Sequence, residues 1–151
     1  MKRQKRGTIL LAFSAGILFL LGSVLLPEMG RAEVIIIANP SVSVSEITKG
    51  DLEKIYTGKQ VVWNDGQPIK PALLETGDLH TDFITHYVGK TTNQFINYWR
   101  RMIFTGQGIQ PRTFGMVGDL IEYVAETPGA VGYISSSDQA PNTKTLVVPG
   151  N

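Results

Sequence analysis

Leu73-Leu-Glu-Thr-Gly-Asp-Leu-His-Thr-Asp-Phe83 reads as the end of a buried strand, a polar turn around Gly77 and the start of a helix. Consecutive apolar residues suit a strand covered on both faces. Glu75, Thr76, Gly77 and Asp78 then break the run with turn chemistry. Leu79, Phe83 and Tyr87 follow on one helical face, with Ile84 beside them and Gly89 as the stop. A strand that bends directly into a helix is the building unit of α/β domains. Such a bend can aim helix N–H groups and hydroxyls at one point, which holds an anion without a metal. Thr76, Gly77, His80 and Thr81 are the candidate anion-binding residues on this reading. Protonated His80 would add charge, but an unperturbed imidazole, with pKa near 6.5, is mostly neutral at about pH 7. Glu75 and Asp78 would oppose an anion if they point inward, by about 4 kcal/mol each at roughly 4 Å and an effective dielectric of about 20. The competing reading is a plain helix start capped by Thr76 or Asp78.

Outward from this bend, strands and helices alternate. Val34 to Ala38 is an apolar β-branched run, expected to be a buried strand. Ser41 and Ser43 follow its end, a place where α/β sheets bind ligands. Together with Arg112 they are the candidate rim of the site, although alternating Ser and Val also suits a short extended edge. Thr48-Lys-Gly-Asp51 has the spacing of a capping box, and Leu52, Ile55 and Tyr56 give the helix after it an apolar face. Trp63-Asn-Asp-Gly66 is a turn. Ile69 to Leu74 is the next strand, with Pro68 and Pro71 suggesting an edge position. Thr91-Thr-Asn-Gln94 is a second capping box, opening a helix whose Phe95, Ile96, Trp99, Met102 and Ile103 are expected to face the core. A Gly- and Pro-rich loop over 105–115 and a helix over 116–125 follow. Strands are expected at Ala130 to Ile134 and Leu146 to Val148. The expected architecture is α/β, with helices packed on a small central sheet.

The 151-residue chain opens with Lys2, Arg3, Lys5 and Arg6, then an apolar run from Thr8 to Leu26, then Gly30-Arg-Ala32. That order is a signal peptide, with cleavage expected after Ala32. The run is 19 residues long, sufficient for a retained membrane anchor of about 20, so both readings stand. Residues 33–151 then form a single exported domain. Beyond residue 32 the chain has nine basic and twelve acidic side chains, a net charge of −3. No basic stripe invites nucleic acid. There is no cysteine, which excludes disulfides and thiol chemistry and suits a bacterial periplasm. Asp82 and His86 share a helical spacing, but two histidines and no wider ligand cluster give no expected metal site. No motif calls for a cofactor. Ser135-Ser-Ser137 has no neighbouring histidine or nucleophile elbow, so no enzyme is expected.

Leu52-Glu-Lys-Ile-Tyr-Thr-Gly-Lys59 and Val62-Trp-Asn-Asp-Gly66 resemble a block of the phosphate-binding proteins of ABC transporters, which are type II periplasmic binding proteins. Phe104-Thr-Gly106 and Thr127-Pro-Gly-Ala-Val-Gly-Tyr-Ile134 resemble two later blocks, so the likeness runs in order from about Val34 to Val148. It implies a single lobe of the type II periplasmic-binding-protein fold, since full-length members close two lobes over their ligand. The family's phosphate loop reads roughly Arg-Ser-x-Gly-Ser-Gly-Thr. Here Glu75 stands where the arginine would be, Thr76 and Thr81 keep hydroxyls, and a shift of register would give His80 the cationic role. The resemblance implies an exported solute-binding protein that takes phosphate or a similar oxyanion for uptake or sensing. One lobe leaves the ligand uncovered on one side, so a homodimer or an envelope or transporter partner would supply the second surface. The alternative is a ligand-free interaction module of the cell envelope on the same scaffold.

Overall fold

The computed structural model describes residues 33–150, so both readings of residues 1–32, cut signal or anchor over 8–26, lie outside the described residues. The elements are β1 (Val34–Ala38), α1 (Lys49–Tyr56), β2 (Lys70–Leu74), α2 (Asp78–Phe83), α3 (Thr92–Phe104), β3 (Arg112–Phe114), α4 (Val117–Glu126), β4 (Ala130–Ser135) and β5 (Lys144–Leu146). A π-helical turn, Ile84–Val88, continues α2 and closes at Gly89, whose φ of 71° is the left-handed conformation that glycine adopts without strain. Both capping boxes form: Thr48 with Asp51 at α1, and Thr91 with Gln94 at α3.

The sheet runs β3-β2-β4-β1-β5. β2 is parallel to β3 and to β4, whereas β1 is antiparallel to both β4 and β5. The two central strands are almost wholly apolar, as a sheet covered on both faces requires, and Ile36, Ile37, Val131 and Tyr133 lie buried there. Leu52, Ile55 and Tyr56 of α1 and Leu120 and Val124 of α4 complete the core. Each such large apolar side chain contributes roughly 1.5–3 kcal/mol through burial.

Four expectations are corrected. β2 is an interior strand despite Pro71. Lys70 N–H bonds to Gly129 O on the β4 side, and Glu75 N–H bonds to Phe114 O on the β3 side. Alternation puts position 71 on the β3 side, but β3 begins opposite Ala72, so the missing N–H costs no ladder bond. The loop over 105–115 ends in β3, which was not expected as a strand. The last strand is Lys144–Leu146, earlier than the run 146–148. Ile96 and Ile103 do not enter the core; they are 43% and 52% exposed. Phe95 and Trp99 alone among the α3 residues are buried, and the element that α3 packs against most is the π-helical turn Ile84–Val88.

β2 and β4 part company after two paired positions, Lys70↔Ala130 and Pro71↔Val131. Tyrosine hydroxyls fill the gap. Tyr56 donates toward Ala72 O at 3.0 Å and Val131 O at 3.3 Å. Leu74 N–H, which has no strand partner, donates to Tyr133 Oη at 3.0 Å. A buried N–H without an acceptor would cost about 1–3 kcal/mol, so these hydroxyls hold open a splay that regular pairing would close.

Candidate functional site

The splay leads to a cavity of about 320 Å³ at the carboxyl ends of β2 and β3. One wall carries Leu73, Leu74, Glu75, His80 and Thr113; the other is the α3 face of Phe95, Ile96, Trp99, Arg100 and Ile103. The ends of parallel strands are where open α/β sheets place their ligands. Several peptide dipoles point there, and the connecting loops are free to vary.

His80 supplies the buried polar group of this cavity, with 6% exposure. Its Nδ1 lies 3.0 Å from Tyr133 Oη. Leu74 N–H also donates to that oxygen; with the phenol proton given to Nδ1, the imidazole would keep its own proton on Nε2. Burial lowers the pKa of His80 below the ordinary 6.5 and raises that of Tyr133 well above the ordinary phenol value. Both effects keep the pair neutral near pH 7. His80 is therefore a neutral N–H donor on a fixed support, not a cation. Phe83 stacks on Tyr133 at a centroid distance of 3.8 Å and holds that support in place.

Two opposite charges frame the cavity. Glu75 leaves the end of β2 and swings toward Gly115, where a Cβ would stand 3.9 Å from its Oε2. Arg100 projects from α3. Among the described residues neither takes part in an ion pair. The rest of the sequence-derived set is scattered. Thr76, Gly77 and Thr81 lie on the outer side of the bend and do not line the cavity. Thr81 Oγ1 donates to Gly77 O at 3.1 Å, so its proton is used within the turn. Gly77, with φ of 106°, is the N-cap of α2, and no side chain caps that helix, so neither Thr76 nor Asp78 serves as the cap. Ser41 and Ser43 are elsewhere. Because β1 runs antiparallel to β4, its end meets the start of β4, and Ser41 Oγ is bound by Gly129 N–H and Gln67 Nε2. Arg112 opens β3, and residues alternate along a strand. Thr113 therefore faces the cavity while Arg112 faces away, over Tyr123 at 4.9 Å. Among the described residues no group of three metal-ligating side chains occurs; Asp82 is buried and His86 exposed.

Arg100 and Thr113 were missed from sequence. A signal for Arg100 existed: Ile96, Arg100 and Ile103 share one helical stripe at i, i+4, i+7. An arginine inside an apolar stripe marks a rim, not a core.

The PBP superfamily domain matches residues 25–149. The chain belongs to the PBP superfamily. Solved structures agree in fold. A phosphate ABC transporter substrate-binding protein with bound phosphate from Clostridium perfringens superposes with a TM-score of 0.62 at 21% identity, over 79% of this chain and 46% of its own. PstS from Borrelia burgdorferi gives 0.60 at 20% identity, over 80% and 48%. An ABC-type phosphate transport receptor from Vibrio cholerae gives 0.53 at 16% identity, over 80% and 47%. No curated protein sequence matches the chain. This PBP-superfamily chain thus spans about half the length of the solved proteins it resembles, and the α/β lobe is what they share.

Proposed function

We propose that this chain is an exported solute-binding protein that takes phosphate or a similar oxyanion, in the periplasm, for uptake or sensing. The cavity at the ends of β2 and β3 carries the reading: His80, Thr113 and Arg100 all border it. Neutral and charged donors around one hollow are the chemistry that holds an oxyanion. Glu75 decides which oxyanion. A carboxylate repels a fully ionised anion, but accepts a hydrogen bond from one that still carries a proton. Phosphate carries such a proton near neutral pH and sulfate does not, so Glu75 favours phosphate over sulfate. Thr76, Gly77 and Thr81 contribute by shaping the bend, and the chain performs no catalysis on this reading. Isothermal titration of the full chain is expected to give heat with phosphate and little with sulfate. Glu75→Gln should narrow the difference by about tenfold, one lost charge-assisted hydrogen bond. Silence of both anions at millimolar concentration would remove the reading.

The mouth of the cavity favours a second reading alongside it. Ile96 and Ile103, 43% and 52% exposed, line the cavity, and Phe104, next to Ile103 in the chain, is 93% exposed. Soluble monomers seldom leave such apolar side chains clustered in water. A second copy, or an envelope or transporter protein, seated there would close the open side of the site; without a ligand, the same surface would make the chain an interaction module. Concentration-dependent elution on size exclusion, lost in Phe104→Ser, supports the homodimer; capture of an envelope protein by a chain that ignores phosphate supports the module.

A further inference from the structure

A second cavity, of about 540 Å³, begins at the other end of β2. Its floor is apolar, made by Ile55, Ile69, Pro71 and Trp99, and its charged groups are Lys70 and Arg112. No aspartate or glutamate is among the described residues that line it. The volume falls in the range of small-molecule sites, roughly 300–1,000 Å³. The remaining polar lining is mostly amide: Gln60, Gln107 and Gln110.

Both cations border the cavity. Arg112 lies over the rings of Tyr123 and Phe114, at 4.9 Å and 5.4 Å from their centroids. Stacking restrains the guanidinium and removes water from one face while leaving its edge N–H groups free. Lys70 lies at the start of β2, where its backbone is tied to Gly129 O. Among the described residues neither cation has an ion-pair partner. Positive charge without an ion-pair partner beside an apolar floor attracts a ligand that has both an anionic head and a flat apolar body. The oxyanion cavity differs in kind, since Glu75 and Arg100 balance there. The walls of the two meet at Trp99 and Gln110.

We infer that this cavity is a separate site for a small organic anion, an aromatic or alicyclic carboxylate or phosphate ester. The head sits between Lys70 and Arg112, and the body lies on Ile55, Ile69 and Trp99. Site and inference stand whether or not the other cavity takes phosphate.

The test is titration of the full chain with 2-naphthoate, its neutral counterpart 2-naphthalenemethanol and inorganic phosphate. Naphthoate is expected to bind about tenfold or more tighter than the alcohol, since its charge meets two cations. Arg112→Gln and Lys70→Gln, both at exposed positions, are each expected to weaken naphthoate by about fivefold with unchanged melting temperature. Glu75→Gln, at the far end of β2, should leave naphthoate binding unchanged. Equal binding of acid and alcohol, indifference to both substitutions, or no naphthoate binding at millimolar concentration would overturn the inference. Loss of phosphate binding alone would bear only on the oxyanion site.

Discussion

His80 owes its role to its neighbours. Tyr133 Oη holds its Nδ1 at 3.0 Å, and burial favours the uncharged ring. A buried neutral imidazole makes a testable demand on stability. Its folded pKa is below that of the unfolded chain, so the unfolded state binds more protons as the solution acidifies. The contribution of this residue is complete above about pH 6.5, the unfolded value, and is lost as pH falls through the folded value. Urea unfolding of wild type and His80→Gln across pH 8 to 5 is expected to show a steeper acid loss in the wild type. Parallel curves would mean that the ring titrates alike in the folded and the unfolded chain. Sequence drew attention to His80 as a donor that is cationic only when protonated, but no local pattern reveals that a tyrosine 53 positions away accepts from Leu74 and faces its ring.

At the level of elements, α3 shows how a helix serves both the core and the site. Trp99 Nε1–H donates to Tyr56 O at 3.1 Å, and Tyr98 O–H donates to Thr57 O at 2.6 Å. Two side chains of α3 thereby satisfy carbonyls at the end of α1, where intrahelical partners run out. Neighbouring positions on α3 therefore differ sharply in what they contribute. Trp99→Ala is expected to cost about 3–5 kcal/mol in denaturant unfolding, since it empties a core site and orphans a carbonyl. Ile103→Ser should change stability by about 0.5 kcal/mol or less, because the side chain faces the cavity mouth. Thr91→Ala removes the capping box and should cost about 1 kcal/mol. The capping box was legible because it depends on residues three apart. The outward aim of Ile96 and Ile103 was not, since helical period places a stripe but does not say where the sheet ends.

For the molecule as a whole, the decisive point is the close approach of the turn before β4 to the start of β2. Gly129 has φ of 79°, and a Cβ there would collide with the Pro68 carbonyl oxygen. Its carbonyl also accepts from Lys70 N–H at 3.1 Å and from Trp63 Nε1–H at 3.0 Å. Gly129→Ala is expected to destabilise the fold by at least about 2 kcal/mol, measured as a lower urea midpoint, whereas Gly66→Ala, with open space around it, pays only for its positive φ.

Sequence by itself determined the kinds of element and most of their limits: β-branched runs made strands, Thr-based boxes opened α1 and α3, and the turns at Gly66 and Gly129 formed as read. These depend on residues a few positions apart, so their physics is local. Tertiary structure alone decided which strands are neighbours and which way they run. The antiparallel β1 carries Ser41 and Ser43 away from Glu75, the late start of β3 lets Pro71 sit inside the sheet, and the parting of β2 from β4 opens the hollow beside His80. Strand pairing joins distant segments through backbone hydrogen bonds common to every residue, so side-chain pattern scarcely records it.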